Sequence, residues 1–181
     1  MKKVVAFLRG VNMAGHNKIR MTDLKALFIE LGFNDTTTYI QSGNVIFSRP
    51  DNLSMDKIIL LINKEIARRF GYHVDVIMRT REDLEKTVSL NPFASEKNFD
   101  PSKMAVLFLD KAPAEDQVAR VSGINYQPDR FYISGREIYL YCPNGFGKTR
   151  LSTDFFKNKM KLTGTGRGWR TVNEILRIIE E

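Results

Sequence analysis

Cysteine is almost missing from this 181-residue chain. Cys142 stands alone, so no disulfide can close within it, and two histidines beside one cysteine do not make a closed zinc site. Glycine and proline are sparse, 12 and six residues, against 43% hydrophobic and 27% charged side chains, which excludes collagen-like, low-complexity and disordered chains. No apolar run approaches the roughly 18 residues of a membrane span, and the stretch at Val4 to Leu8 is too short for a secretory signal. These absences lead us to expect a cytoplasmic protein with no membrane partner. Catalytic signatures are also lacking: there is no H-E-x-x-H, no C-x-x-C, no G-x-S-x-G elbow and no dinucleotide fingerprint. Nothing in the sequence calls for a metal or a cofactor, whether the chain is an enzyme stays open, and no oligomeric state is implied.

What is present is an ordinary globular composition. At 20.8 kDa the chain can bury roughly 70% of its unfolded surface, enough for one domain or two small ones. The net charge of +7 is unevenly spread. Residues 1–20 carry five basic and no acidic side chains, residues 144–170 carry seven basic and one acidic, and the rest is net acidic. Two concentrated basic segments point to anion-facing edges rather than a uniformly basic surface.

Hydrophobic periodicity gives the order of elements. Val4 to Leu8 is a buried strand, followed by a long loop from Arg9 to Arg20. Thr22 is placed to cap a helix with Leu24, Leu27, Phe28 and Leu31 on one face and Gly32 at its stop. Thr37 to Gln41 and Val45 to Ser48 form a hairpin around Ser42-Gly43, where glycine tolerates the positive φ of a tight turn. Ser54 caps a helix ending at Gly71, and Val74, Val76 and Met78 alternate as a strand. Strand, helix, strand, strand, helix, strand is the ferredoxin-like order.

A partial echo follows. After a short capped helix at Arg81 to Ser89 and the joint Asn91-Pro92-Phe93 come a strand at Met104 to Leu109, a helix at Ala114 to Val121 and a hairpin around Ser134-Gly135, from Phe131 to Ile133 and Glu137 to Tyr141. A helix lies near Asp154 to Met160, and the last follows Thr171, with Glu174 completing a capping box. The expected fold is therefore α+β: two ferredoxin-like subdomains with antiparallel sheets, residues 1–80 and 81–181, the second incomplete and carrying a C-terminal helix.

This topology brings the Arg9 to Arg20 loop beside Gln41-Ser42-Gly43-Asn44. Arg9, Asn12, Lys18, Arg20, Gln41, Ser42 and Asn44 combine cationic donors, amides and glycine-permitted backbone approach, a set suited to phosphate or carboxylate. A long polar loop also needs such residues simply to turn. His16 has no carboxylate beside it and reads as a loop hydrogen-bonding residue.

In the second basic segment, Cys142-Pro143-Asn144-Gly145-Phe146-Gly147-Lys148-Thr149 nearly reads as a phosphate-cradling P-loop, but Cys142 replaces its first glycine and the strands around it read as hairpins. Lys148 and Arg150 remain candidates for an anion-binding turn. Cys142 reads as a buried, inert thiol. Trp169, between Arg167 and Arg170, suits stacking against a nucleotide or single-stranded nucleic acid, or alternatively docking of the last helix.

Several segments together resemble a known bacterial family. Leu8-Arg9-Gly10-Val11-Asn12 with Lys18 and Met21, Tyr39-Ile40-Gln41-Ser42-Gly43-Asn44-Val45 with Phe47, Asn91-Pro92-Phe93, and the terminal Thr165, Arg167, Trp169 and Thr171 are similar to domain of unknown function 1697. Gly168 stands where asparagine is common in that family. The resemblance covers nearly the whole chain and implies a cytoplasmic α+β protein of ferredoxin-like structure, with no activity or catalytic residues to carry over. From the residues themselves, the expected function is binding of a phosphate-bearing ligand, nucleic acid or nucleotide, through the basic loops. The alternatives are an enzyme for a small anionic substrate in a crevice between the subdomains, and a structural protein meeting an acidic protein partner.

Overall fold

The computed structural model describes residues 2–13 and 15–181; Ala14 of the first basic loop lies outside them. The chain divides into two compact units, Met1–Glu85 with Ile175–Glu181, and Lys86–Glu174.

In the first unit, β1 (Lys2–Leu8), α1 (Met21–Glu30), β2 (Asn34–Tyr39), β3 (Asn44–Arg49), α2 (Met55–Phe70) and β4 (Val76–Thr80) form an antiparallel sheet ordered β2-β3-β1-β4. Period-two alternation turns Val4, Ala6, Leu8, Val45, Phe47, Val76 and Met78 toward Leu24, Leu27, Phe28, Ile58, Ile62 and Ile66 of the two helices. Val5 and Phe7 are buried too, so Val4 to Leu8 of β1 is a continuous apolar run, and on β4 Ile77 and Arg79 are buried as well.

Helix ends follow local chemistry. Ser54 Oγ accepts from Lys57 N at the start of α2, and Gly71 closes it at φ +79°. The start of α1 differs from expectation: Arg20 occupies the cap position without a side-chain bond, and Thr22 sits inside the first turn with its hydroxyl on Asp23. At its other end Phe33 N donates to Phe28 O and Gly32 N to Ile29 O, and the Phe28 and Phe33 rings pack 5.9 Å apart, a Schellman closure with its hydrophobic contact.

After α3 (Arg81–Ser89), the second unit contains β5 (Met104–Leu109), α4 (Glu115–Ala119), β6 (Arg130–Ser134), β7 (Glu137–Tyr141), α5 (Thr153–Met160) and β8 (Gly164–Gly168), followed by α6 (Trp169–Glu180), which ends in the first unit. The sheet order is β6-β7-β5-β8, the same arrangement as in the first unit. The second ferredoxin-like unit is therefore complete, where the sequence led us to expect a missing strand. The strand concealed in the sequence is Gly164-Thr165-Gly166-Arg167-Gly168, whose three glycines suppress both β propensity and alternation. Glycine fits because a Cβ at Gly164 would lie 2.9 Å from Leu107 Cδ1 on the neighbouring strand. The same strand starts α6 directly at Trp169, so Thr171 is inside the helix and not its cap.

Leu107, Leu109, Ile138 and Leu140 pack with Val121, Leu151, Phe156 and Met160 in a separate core on one face of this sheet. On the other face the rings of Phe93 and Phe99 meet Tyr141, and the Tyr139 hydroxyl donates to Thr87 O. No helix among the described residues is long and apolar enough to cross a membrane.

Candidate functional site

The end of β1, the loop after it and the β2–β3 turn do meet at one edge of the first unit. Leu8 N donates to Gly43 O at 2.8 Å, and a Cβ on Gly43 would fall 2.4 Å from Val11 Cγ2. The polar groups gathered there serve the chain itself. Asn12 donates to Ile19 O and Gln41 O and accepts from Ile19 N, all at 2.9 Å, so one amide closes the loop and fastens it to the hairpin. Asn44 is fully buried and donates to Tyr39 O and Ser42 Oγ. Arg9 pairs with Asp75 through both backbone and guanidinium, the latter at 3.2 Å. Lys18, Arg20 and Gln41 remain exposed at this edge.

The second unit has a concave site open to solvent. Asn144, Lys148 and Arg150 from the second basic segment, and Asn125, Tyr126, Gln127, Pro128 and Asp129 from the loop before β6, line a pocket of about 280 Å³. The segment from Cys142 to Arg150 folds as a glycine turn, Gly145 at φ +86°, then a single 3₁₀ turn at Phe146–Lys148, and not as a P-loop leading into a long helix. Cys142 Sγ contacts Thr149 Oγ1 at 3.5 Å, and burial pushes its thiol up, away from the reactive thiolate.

Three charged side chains of the pocket are uncommitted. Among the described residues, Lys148, Arg150 and Asp129 make no ion pair with each other or with any other group. The Tyr126 ring packs edge-on against Phe131 and Phe155, while its hydroxyl is buried without a hydrogen-bond partner and burial raises its pKa. An unsatisfied buried hydroxyl costs about 1–3 kcal/mol, so a ligand or water that reached it would be favoured. Sequence reasoning found Lys148 and Arg150 but missed the facing loop. The available signal was its cluster of turn formers, Asn125, Pro128 and Asp129, around a tyrosine.

Arg167 and Trp169 do not join this pocket. Both are buried, Trp169 at 8% exposure. Arg167 donates to Thr165 Oγ1 and Gly166 O at 2.8 Å, and desolvation lowers its pKa to about 10. No group of three His, Cys, Asp or Glu residues among those described is arranged to hold a metal ion.

Comparison with known proteins adds the family and the fold. The family described as protein of unknown function (DUF1697) matches residues 1–139. A conserved bacterial protein of Streptococcus pneumoniae, SP0830, superposes with a TM-score of 0.76 at 23% identity, covering 98% of each chain. No functionally curated protein matches the sequence.

Proposed function

The chain belongs to the DUF1697 family, whose description carries no activity, and from its own chemistry we propose that it binds a small phosphate-bearing ligand of mononucleotide or sugar-phosphate size in the pocket of the second unit. The observation that carries this reading is the pairing of Lys148 and Arg150, both exposed and both without a carboxylate partner among the described residues, at the rim of one open polar pocket. Uncommitted cations beside a glycine turn attract a dianion and pay no cost to release an existing partner. A volume of about 280 Å³ lies at the small end of ligand pockets, which favours a mononucleotide or sugar phosphate over a strand. In this reading the protein works in the cytoplasm, where such ligands are abundant.

Calorimetric titration of phosphate monoesters against their dephosphorylated parents tests it. Only the phosphorylated compounds should bind, and Lys148→Ala/Arg150→Ala should weaken them about tenfold or more. Equal binding of both compound sets, or an unaffected double variant, would remove the reading.

A further inference from the structure

The two segments that line the pocket differ in charge. Lys148, Arg150 and Asn144 come from one; Asp129, Asn125, Gln127 and Tyr126 come from the other. Asp129 is partly buried in the same pocket and pairs with neither cation among the described residues. The space between them suits a ligand with two unlike ends. One end is the phosphate; the other must donate hydrogen bonds, because an ionised carboxylate only accepts them.

Building on the phosphate-binding reading, the geometry points to a sugar phosphate as the ligand class, with Asp129 accepting hydrogen bonds from its hydroxyls while Lys148 and Arg150 hold the phosphate. A carboxylate that accepts from adjacent ribose hydroxyls is an established way of reading sugars. The neighbouring groups favour a polyol over an ammonium. Asn125 Oδ1 is taken by Gln127 N, which leaves its amide nitrogen to donate, and the Gln127 amide both donates and accepts. Neutral partners that donate, as both amides can, match hydroxyls, which also accept, whereas an ammonium can only donate.

Asp129 is also a repulsive element. It opposes any small anion that enters without hydroxyls, so the same residue should reject inorganic phosphate and accept a sugar phosphate. Removing its charge therefore has opposite effects on the two ligands, a signature that a structural role would not produce.

The experiment is calorimetry with ribose 5-phosphate, ethyl phosphate, phosphoethanolamine and inorganic phosphate on the parent protein and on Asp129→Asn, each checked for an unchanged thermal melt. Ribose 5-phosphate should bind the parent at least about tenfold more tightly than ethyl phosphate. Asp129→Asn should erase that difference while strengthening inorganic phosphate. Phosphoethanolamine outcompeting ribose 5-phosphate, or Asp129→Asn shifting all four ligands alike, would overturn the sugar assignment while the phosphate site stands. If none of the four binds the parent, the phosphate site itself falls, and the sugar assignment with it.

Discussion

Gly43 shows how tightly the first edge is built. It combines φ +75° with a Cβ position 2.4 Å from Val11 Cγ2 and 2.9 Å from Leu8 Cβ, atoms held close to the backbone. Gly43→Ala should therefore cost about 2 kcal/mol or more in urea melts, from a strained conformation and an overpacked contact together. Asn12→Ala removes three bonds to backbone groups and should destabilise by a similar ~2 kcal/mol. If the pocket in the second unit is the ligand site, phosphate monoester affinity should be unchanged in this variant; a matching loss of affinity would return the site to the first edge. Trp169, buried at the start of α6, is argued as an anchor: Trp169→Ala should cost about 3 kcal/mol or more, and a near-neutral melt would count against packing as its role. At this scale the sequence reading located the right neighbours but could not tell their partners. An asparagine that binds a phosphate and one that clamps a loop need the same amide, and only the positions of Ile19 and Gln41 decide which it is.

At the scale of elements, α1 and α2 are joined by charge as well as by core. Glu65 holds Arg68 and Arg69 on α2, and Arg69 reaches Glu30 on α1. Hydrogen bonds from Arg68 and then Arg69 hold the Glu65 carboxyl down at about 2. A carboxyl whose folded pKa is depressed contributes stability that is fully present above its unfolded value, near 4.5, and is lost as pH falls through the folded value. Stability should thus decline between about pH 4.5 and 2, and Glu65→Gln should flatten that part of the profile in urea melts taken across it; an unchanged slope would show the network to be inert. The other elements differ in how plainly they could be read. β5 matches its expected bounds because six consecutive buried apolar residues admit little else, and α2 because both caps and a clear periodicity agree. β8 was illegible because its burial belongs to a neighbour: Gly164 is small so that Leu107 and Leu109 can be large. Those leucine methyls can swing aside, so Gly164→Ala should cost less than Gly43→Ala, a ranking that paired denaturant melts would reverse if β8 were rigidly seated.

At the scale of the whole molecule, the net charge of +7 is the feature that most invites a nucleic-acid reading, and its placement argues for a smaller ligand. Of the basic residues singled out in the sequence, Arg9 is paired with Asp75 and Arg167 is buried, while Trp169, the intended stacking platform, lies within the packing. A strand of nucleic acid needs a continuous row of exposed cations and open aromatic faces, since each phosphate contact releases counterions and each stacked base contributes about 1–3 kcal/mol. What remains is general attraction between a cationic protein and a polyanion, which salt screens over about 8 Å at physiological ionic strength. A fluorescein-labelled single-stranded oligonucleotide should accordingly bind weakly at low salt, release by physiological salt and leave Trp169 emission unchanged. On the proposed reading ribose 5-phosphate should still register at that salt, because the pocket would hold its phosphate at short range with only a few charges taking part. Oligonucleotide binding that persists at physiological salt, with a log-log slope of about −3 or steeper and quenching of Trp169, would mean that several phosphates and a base are engaged together, and would replace the small-ligand reading with a nucleic-acid one.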